Sequence, residues 1–369
     1  MHVGINVVSQ NTDGKRRDHE IVRDQLRLAD LVADLGFDSI WGTEHHFTGY
    51  MLAPDVLQYL TYVAGKYPHL QVGSQVVVLP WHNPMRVAEQ VSLLDNFCEG
   101  RLILGIGRGA ARVEFETFGY DMSESRERFV EYADMLIQGL ERGYCEYDGK
   151  HLKQKRAEIR PHPYKSFKGR TYAAAVSPDS APIMAKLGAG LLVIPQKPWD
   201  QVADDLELHR RAFREIHGVA APAPVCGGFV YCHAKPERAR EDVYQYQVAY
   251  WQQVVTHYEY GGSHFGKTKG YEGYQAWANN IQEQGTNAFA EAFVGLQPWG
   301  TPDEIWDKIL KIRKQIGFDI WAPTLWYGGM PLEDAERSLK LFAREVVPAL
   351  KKLPPAGTES TAAPRAAAR

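Results

Sequence analysis

What most constrains this chain is an alternation of short apolar runs with longer amphipathic stretches, carried through eight rounds. The spacing predicts strands at 3–8, 39–42, 71–79, 101–106, 172–176, 191–194, 225–231 and 320–325. It predicts helices at 19–35, 54–66, 84–97, 123–142, 178–187, 199–217, 236–258, 301–316 and 332–350. Strands separated by helices form a parallel sheet, since a parallel neighbour needs a crossover connection. Eight units predict an α/β fold in which that sheet closes, a (β/α)₈ TIM barrel. The rhythm loosens twice, at 143–169 after the fourth strand and at 244–299 after the seventh; both read as insertions, the second irregular from 261 to 298 and aromatic. One domain is expected over 1–353. The Pro/Ala/Thr-rich stretch 354–369 has no periodicity and reads as a disordered tail.

Charge excludes some functions. With 42 Lys and Arg against 45 Asp and Glu, the net charge is −3. A near-balanced surface has no broad attraction for nucleic acid or acidic lipid. The four cysteines form no CxxC pair and read as small buried hydrophobes in a reducing compartment. The first residues enter a strand directly, without the basic and apolar regions of a signal peptide, and no apolar run approaches the ~20 residues that span a bilayer. A cytoplasmic protein with no membrane partner is the expectation.

In such barrels the active site lies at the C-terminal ends of the strands. After the second strand stand Glu44, His45 and His46. The histidines suit a metal site, an acid/base pair, an anion clamp, or two hydrogen-bonded rings under a loop. Adjacent side chains of an extended segment diverge, which argues against chelation by both, and no metal is expected. After the fourth strand comes Gly105-Ile106-Gly107-Arg108-Gly109. Its glycines admit a ligand to the backbone and Arg108 offers a fork for phosphate or carboxylate, unless the segment is a tight turn with a solvated arginine. After the fifth strand, Ser177, Pro178 and Ser180 open a helix, as an anion site or as an ordinary cap. Arg108 and the Ser177–Ser180 turn come from neighbouring strands and are placed to grip one phosphate.

These stretches resemble the bacterial luciferase family of flavin-dependent oxidoreductases. The likeness runs from about His2 to Lys352, through Gly36 to Trp41, Glu44 to Phe47, Val72 to Pro80, His82 to Pro84, Leu93 to Asp95, Glu99 to Arg101, Gly107 to Gly109, Phe118 to Tyr120 and Gly300 to Pro302. It implies that reduced FMN binds at the barrel mouth. Arg108 falls on the phosphate-binding arginine, and the Ala110 backbone, Ser177 and Ser180 on further phosphate contacts. Val176 stands where luciferase has a glutamate. Gln75 and Val76 fall on a non-proline cis peptide under the flavin ring. His45 falls on the catalytic histidine, Glu44 on its neighbouring acid, and Glu114 on an acidic residue near the flavin. Trp251 matches a tryptophan bordering the pocket. Gly107 replaces a reactive cysteine and Pro195 a tryptophan, departures that argue against long-chain aldehyde chemistry and luminescence.

The resemblance implies a two-component monooxygenase. A separate NAD(P)H:flavin reductase supplies FMNH₂, O₂ converts it to a 4a-hydroperoxide, and one oxygen atom goes to a small apolar or aromatic substrate while His45 handles protons. His46, Trp251, Tyr258 and Trp277 are expected in the substrate pocket or in an aromatic lid. The alternatives are a deazaflavin-dependent hydride-transfer dehydrogenase on the same fold and a non-catalytic flavin-binding protein. A homodimer is expected through the helices at 54–66 and 84–97, with Tyr59, Tyr62, Val63, Val91 and Leu94 read as their outward apolar content.

Overall fold

The computed structural model describes residues 1–174 and 179–357, without the side chains of residues 276, 277, 280, 284 and 288. Eight parallel strands close a barrel: β1 (His2–Asn6), β2 (Ser39–Gly42), β3 (Gln71–Ser74), β4 (Leu102–Gly107), β5 (Thr171–Ala174), β6 (Gly190–Val193), β7 (Val225–Cys226) and β8 (Ile320–Trp321). Val72 pairs with Leu102 across one seam, and His2 with Ile320 where the last strand meets the first.

The interior is filled by Trp41, Ile103, Tyr172, Leu192, Val225 and Ala322. Trp41 decides the glycines around it. A Cβ on Gly73 would lie 2.4 Å from its ring, and one on Gly4 2.7 Å from its Nε1. Outside, helices begin where their caps dictate. Asp55 accepts from the Gln58 N–H, Asn83 from Met85 and Arg86, and Thr301 and Glu304 close a capping box.

Several expectations need correction. The third strand does not run to 79. It stops at Ser74, crosses a cis peptide between Gln75 and Val76, and resumes as Val77–Val78 before a short 3₁₀ turn. The seventh strand ends at Cys226, and a single parallel bridge from Phe229 to Thr324 keeps the run beside the eighth before it turns away. Gly228 takes φ 133°, and Tyr231–Cys232 pairs with Trp299–Gly300 instead. The stretch 261–298 is mostly a helix, Gly273–Leu296, kinked at Gly285, and it packs on the helix Pro236–Tyr258. An additional helix, Arg112–Phe118, follows β4. Val63, Val91 and Leu94 face the barrel rather than outward, since they share a helical stripe with Leu60, Val87 and Ala88. Only Tyr62 of the five is exposed, joined on the outside by Leu93 and Phe97. The start of the expected tail is docked, for Arg313 donates to Pro354 O and the Ala356 N–H to Asp319. The rest, 358–369, lies outside the described residues. All four cysteines are buried and none is in a disulfide, and among the described residues no helix is long and apolar enough to cross a membrane.

Candidate active site

A cavity of about 1030 Å³ opens at the C-terminal ends of the strands. Its floor is the break between β3 and Val77–Val78. The cis Gln75–Val76 peptide turns Val76 towards β4, where a Cβ on Gly107 would sit 2.3 Å from Val76 Cγ2. The side chain of Val76 therefore fills the room that any larger residue at 107 would need. On the opposite side, Gly227 lets Gln75 reach across, since a Cβ there would lie 2.3 Å from Gln75 Nε2. Gln75 Oε1 is buried without a hydrogen-bond partner.

One end of the cavity is cationic. Arg108 Nη1 and Arg126 Nη2 both donate to Gly270 O, at 2.7 and 3.1 Å. The Arg108 guanidinium lies 3.9 Å over the Tyr271 ring, and the Tyr271 hydroxyl donates to Gly109 O. Burial, followed by the charge of Arg108, lowers the Arg126 pKa, and Arg126 Nε is buried without a partner. Two guanidiniums share one neutral carbonyl and Ser180 lines the same cavity, so this end can hold an anion, with the carboxylates of Asp179 and Glu272 also acting on Arg126. Arg126 is not distinguishable in the sequence from any other first-turn helix arginine.

The other end carries the histidines, and the two rings part as extended backbone requires. His45 Nδ1 lies 3.2 Å from Glu114 Oε1, its Nε2 lies 3.4 Å from the Tyr258 hydroxyl, and it lines the cavity. His46 turns away to stand edge-on against Trp81 and Phe118, with Nε2 3.0 Å from Glu44 Oε1. Glu44 also meets His82 Nε2 at 2.6 Å and the Val78 N–H at 3.0 Å. Burial raises its pKa, but these three contacts more than offset that and hold it below the usual range. Glu44 thereby ties the end of β2 to the resumed third strand. Glu114 accepts the His46 N–H at 2.8 Å and faces His257 Nε2 at 3.5 Å. Burial opposes its charge, yet the two imidazoles bring its pKa down to about 2. The ligand atoms of His45, Glu114 and His257 lie within 4.8 Å of one another. Both rings face the same carboxylate oxygen: His45 Nδ1 is hydrogen-bonded to it, while His257 Nε2, at 3.5 Å, is buried without a hydrogen-bond partner among the described residues.

Of the residues singled out in the sequence, the cavity wall gathers Glu44, His45, Gln75, Val76, Gly107, Arg108, Ala110, Glu114, Ser180 and Tyr258. It does not gather His46 or Trp251; Trp251 is buried against Phe289 and Phe293. Val176 and Ser177 lie outside the described residues, as does the side chain of Trp277. Tyr260 and Tyr274, from the aromatic segment read as a lid, also line the wall, as does Gln196, which no motif marked.

An arginine pair at one end, a His–Glu cluster at the other and an apolar floor between them mark the candidate active site of a barrel enzyme. The chain belongs to the luciferase-like monooxygenase family, whose sequence model matches residues 1–319. It is 25% identical over 336 residues to the alkanal monooxygenase alpha chain of Photorhabdus laumondii, covering 90% of this chain and 93% of that one. Among solved structures, the monooxygenase RslO1 from Streptomyces bottropensis superposes with a TM-score of 0.76 at 24% identity, over 95% of this chain and 99% of that one. The oxygenating constituent of 3,6-diketocamphane monooxygenase from Pseudomonas putida, a type II Baeyer–Villiger enzyme in complex with FMN, gives 0.73 at 17% identity, over 94% and 98%. A coenzyme F420-dependent secondary alcohol dehydrogenase has the same barrel, with a TM-score of 0.70 at 15% identity over 95% and 98%. At these identities the structural likenesses concern the fold.

Proposed function

We propose that the protein is the oxygenase component of a two-component system, taking reduced FMN from a separate NAD(P)H:flavin reductase and using O₂ to oxygenate a small apolar or aromatic substrate. The observation that carries this reading is the pairing, in one cavity, of the Arg108–Arg126 anion receptor with the His45–Glu114 acid/base cluster. The donor set suits FMN. The guanidiniums and Ser180 would hold its phosphate, Val76 and Val78 would underlie its ring, and the unpartnered Gln75 Oε1 would accept from a ring N–H. When bound, reduced flavin supplies the electrons that activate oxygen. The chain's own residues do the rest. His45 Nε2 faces the cavity as the proton donor and acceptor, Glu114 orients it and stabilises its charged form, and Tyr258, Tyr260 and Tyr274 present aromatic walls that exclude water. The fold shared with a coenzyme F420-dependent enzyme supports hydride transfer as a second reading; stoichiometric oxygen uptake during turnover separates the two.

Binding tests the first step. Each charge-assisted bond is worth about 1.5–3 kcal/mol, so Arg108→Ala and Arg126→Ala should each weaken reduced-FMN binding at least about tenfold. Anaerobic titration measures it, and unchanged dissociation constants in both variants would refute the phosphate grip.

A further inference from the structure

Behind the histidine end of the cavity lies a second opening. A groove of about 1130 Å³ is walled by Thr12, Thr48, Gly49, Gln252, Thr256 and His257 among others, and shares no wall residue with the first cavity. A file of side chains joins the two. Thr48 Oγ1 lies 2.9 Å from His257 Nδ1, His257 Nε2 lies 3.5 Å from Glu114 Oε1, and Glu114 Oε1 lies 3.2 Å from His45 Nδ1. His45 Nε2 then faces the cavity beside the Tyr258 hydroxyl. The file is held straight by packing. The Tyr50 ring stacks on His257 at 4.5 Å and 17°, and the Tyr50 hydroxyl is bonded to that of Tyr250 at 2.7 Å.

A histidine that served only to fill space would not need a buried carboxylate on one nitrogen and a hydroxyl at the edge of solvent on the other. We propose that His257 and Thr48 form a proton relay that links the groove to His45 through Glu114. This rests on the reading of His45 as the acid/base of the flavin site. The transfer balances without a further reagent. A proton enters His257 at Nδ1 from the Thr48 hydroxyl, which is replenished by groove water. The Nε2 proton of His257 passes to the Glu114 carboxylate, and the carboxyl group so formed hands that proton on to His45 Nδ1, which is open in the tautomer that carries its proton on Nε2. His45 can then release its Nε2 proton into the cavity, and reversing the sequence removes one. The charged and titratable groups facing His257 are His45, Glu114 and Glu259; burial, against the pull of Glu114, keeps its pKa below the usual imidazole value. The relay thus rests with a neutral ring that carries one proton and can take a second on its bare nitrogen. Such a route lets the cavity stay closed to water while its protons equilibrate with solvent.

The test uses the full chain with His257→Gln and Thr48→Val, which keep bulk but interrupt the file. In the FMN-free protein, exchange of the His45 Nδ1 proton with water, followed by nitrogen-edited NMR, should slow at least about 10²-fold in both variants, the lower end for removing a positioned proton-transfer group. Thermal melting confirms folding, and FMN titration should match the unsubstituted protein because the phosphate grip lies elsewhere. In the presence of FMNH₂ and oxygen, imidazole added to the buffer should restore the turnover of His257→Ala through the opened groove. Unchanged exchange in both variants overturns the relay. Loss of FMN binding by the unsubstituted protein would instead defeat the functional reading, and the exchange experiment does not depend on it.

Discussion

His45 and His46 are neighbours in the chain with opposite surroundings, which makes them internal controls for each other. His45→Ala should keep its FMN affinity, because the arginines lie at the far end of the cavity. It should lose roughly 10²–10⁴-fold in oxygenation, the worth of a positioned proton-transfer group, and release hydrogen peroxide in place of product. His46→Ala should instead melt earlier. It takes one of three contacts from the buried Glu44 carboxylate, a cost of about 1–3 kcal/mol. A dead His46→Ala beside a competent His45→Ala would reverse the assignment. Glu114 gives the same site a pH signature. Its pKa of about 2 in the folded protein lies below the 4.5 of a free carboxyl. The stability it confers is therefore complete above pH 4.5 and is lost as pH falls towards 2. The difference corresponds to about 3 kcal/mol. Glu114→Gln should flatten the acid limb of the unfolding curve in that window, and an unaltered limb would place the carboxylate's partners elsewhere.

Among the elements, the junction of the third strand with β4 is the most exacting. Gly107→Ala should cost about 1–3 kcal/mol through overpacking, because its Cβ would lie 2.3 Å from Val76 Cγ2. Val76→Ala in the same chain should recover most of that loss. Denaturant unfolding of the four members of this cycle measures the coupling, and additive effects would show that the two residues do not compete for space. This junction also marks how far the sequence is legible. The barrel is readable because each unit repeats the same period, and the strand ends at Glu44 and Arg108 follow once the barrel is drawn, whereas Glu114, on the helix Arg112–Phe118, is reached only through the family resemblance. The cis peptide at Gln75–Val76 is legible only through the family resemblance and the break at Gly227 not at all, because tertiary contacts between Gln75, Val76 and the facing glycines override runs that look uniformly β-forming. The helix Gly273–Leu296 was obscured by Gly285, which interrupts its period. Arg126 and His257 lack any local signal, since each acquires its role only when residues far apart in the chain, such as Gly270 and Glu114, are brought beside it.

At the scale of the whole molecule, the barrel leaves an uncovered apolar surface over two adjoining helices, Val56–Lys66 and Pro84–Phe97. Tyr62 is 47% exposed, Leu93 42% and Phe97 57%. Tyr164, 56% exposed, adds to them from the segment whose backbone is bonded to Asp95 and Asn96. Four large apolar side chains facing water on one side of the protein carry a cost that association removes, since each buried square ångström returns about 25 cal/mol. The luciferase-like kinship makes a second copy of the chain the natural partner, and we propose a homodimer across this face. A two-fold axis would set each patch against its equivalent. Light scattering at micromolar concentration should therefore report twice the mass of one chain. Replacing both Leu93 and Phe97 by Glu should halve that mass while leaving FMN binding intact, since neither residue belongs to the cavity wall. A monomeric mass for the unsubstituted protein would defeat the proposal, and a dimer that survived both substitutions would move the interface to another face.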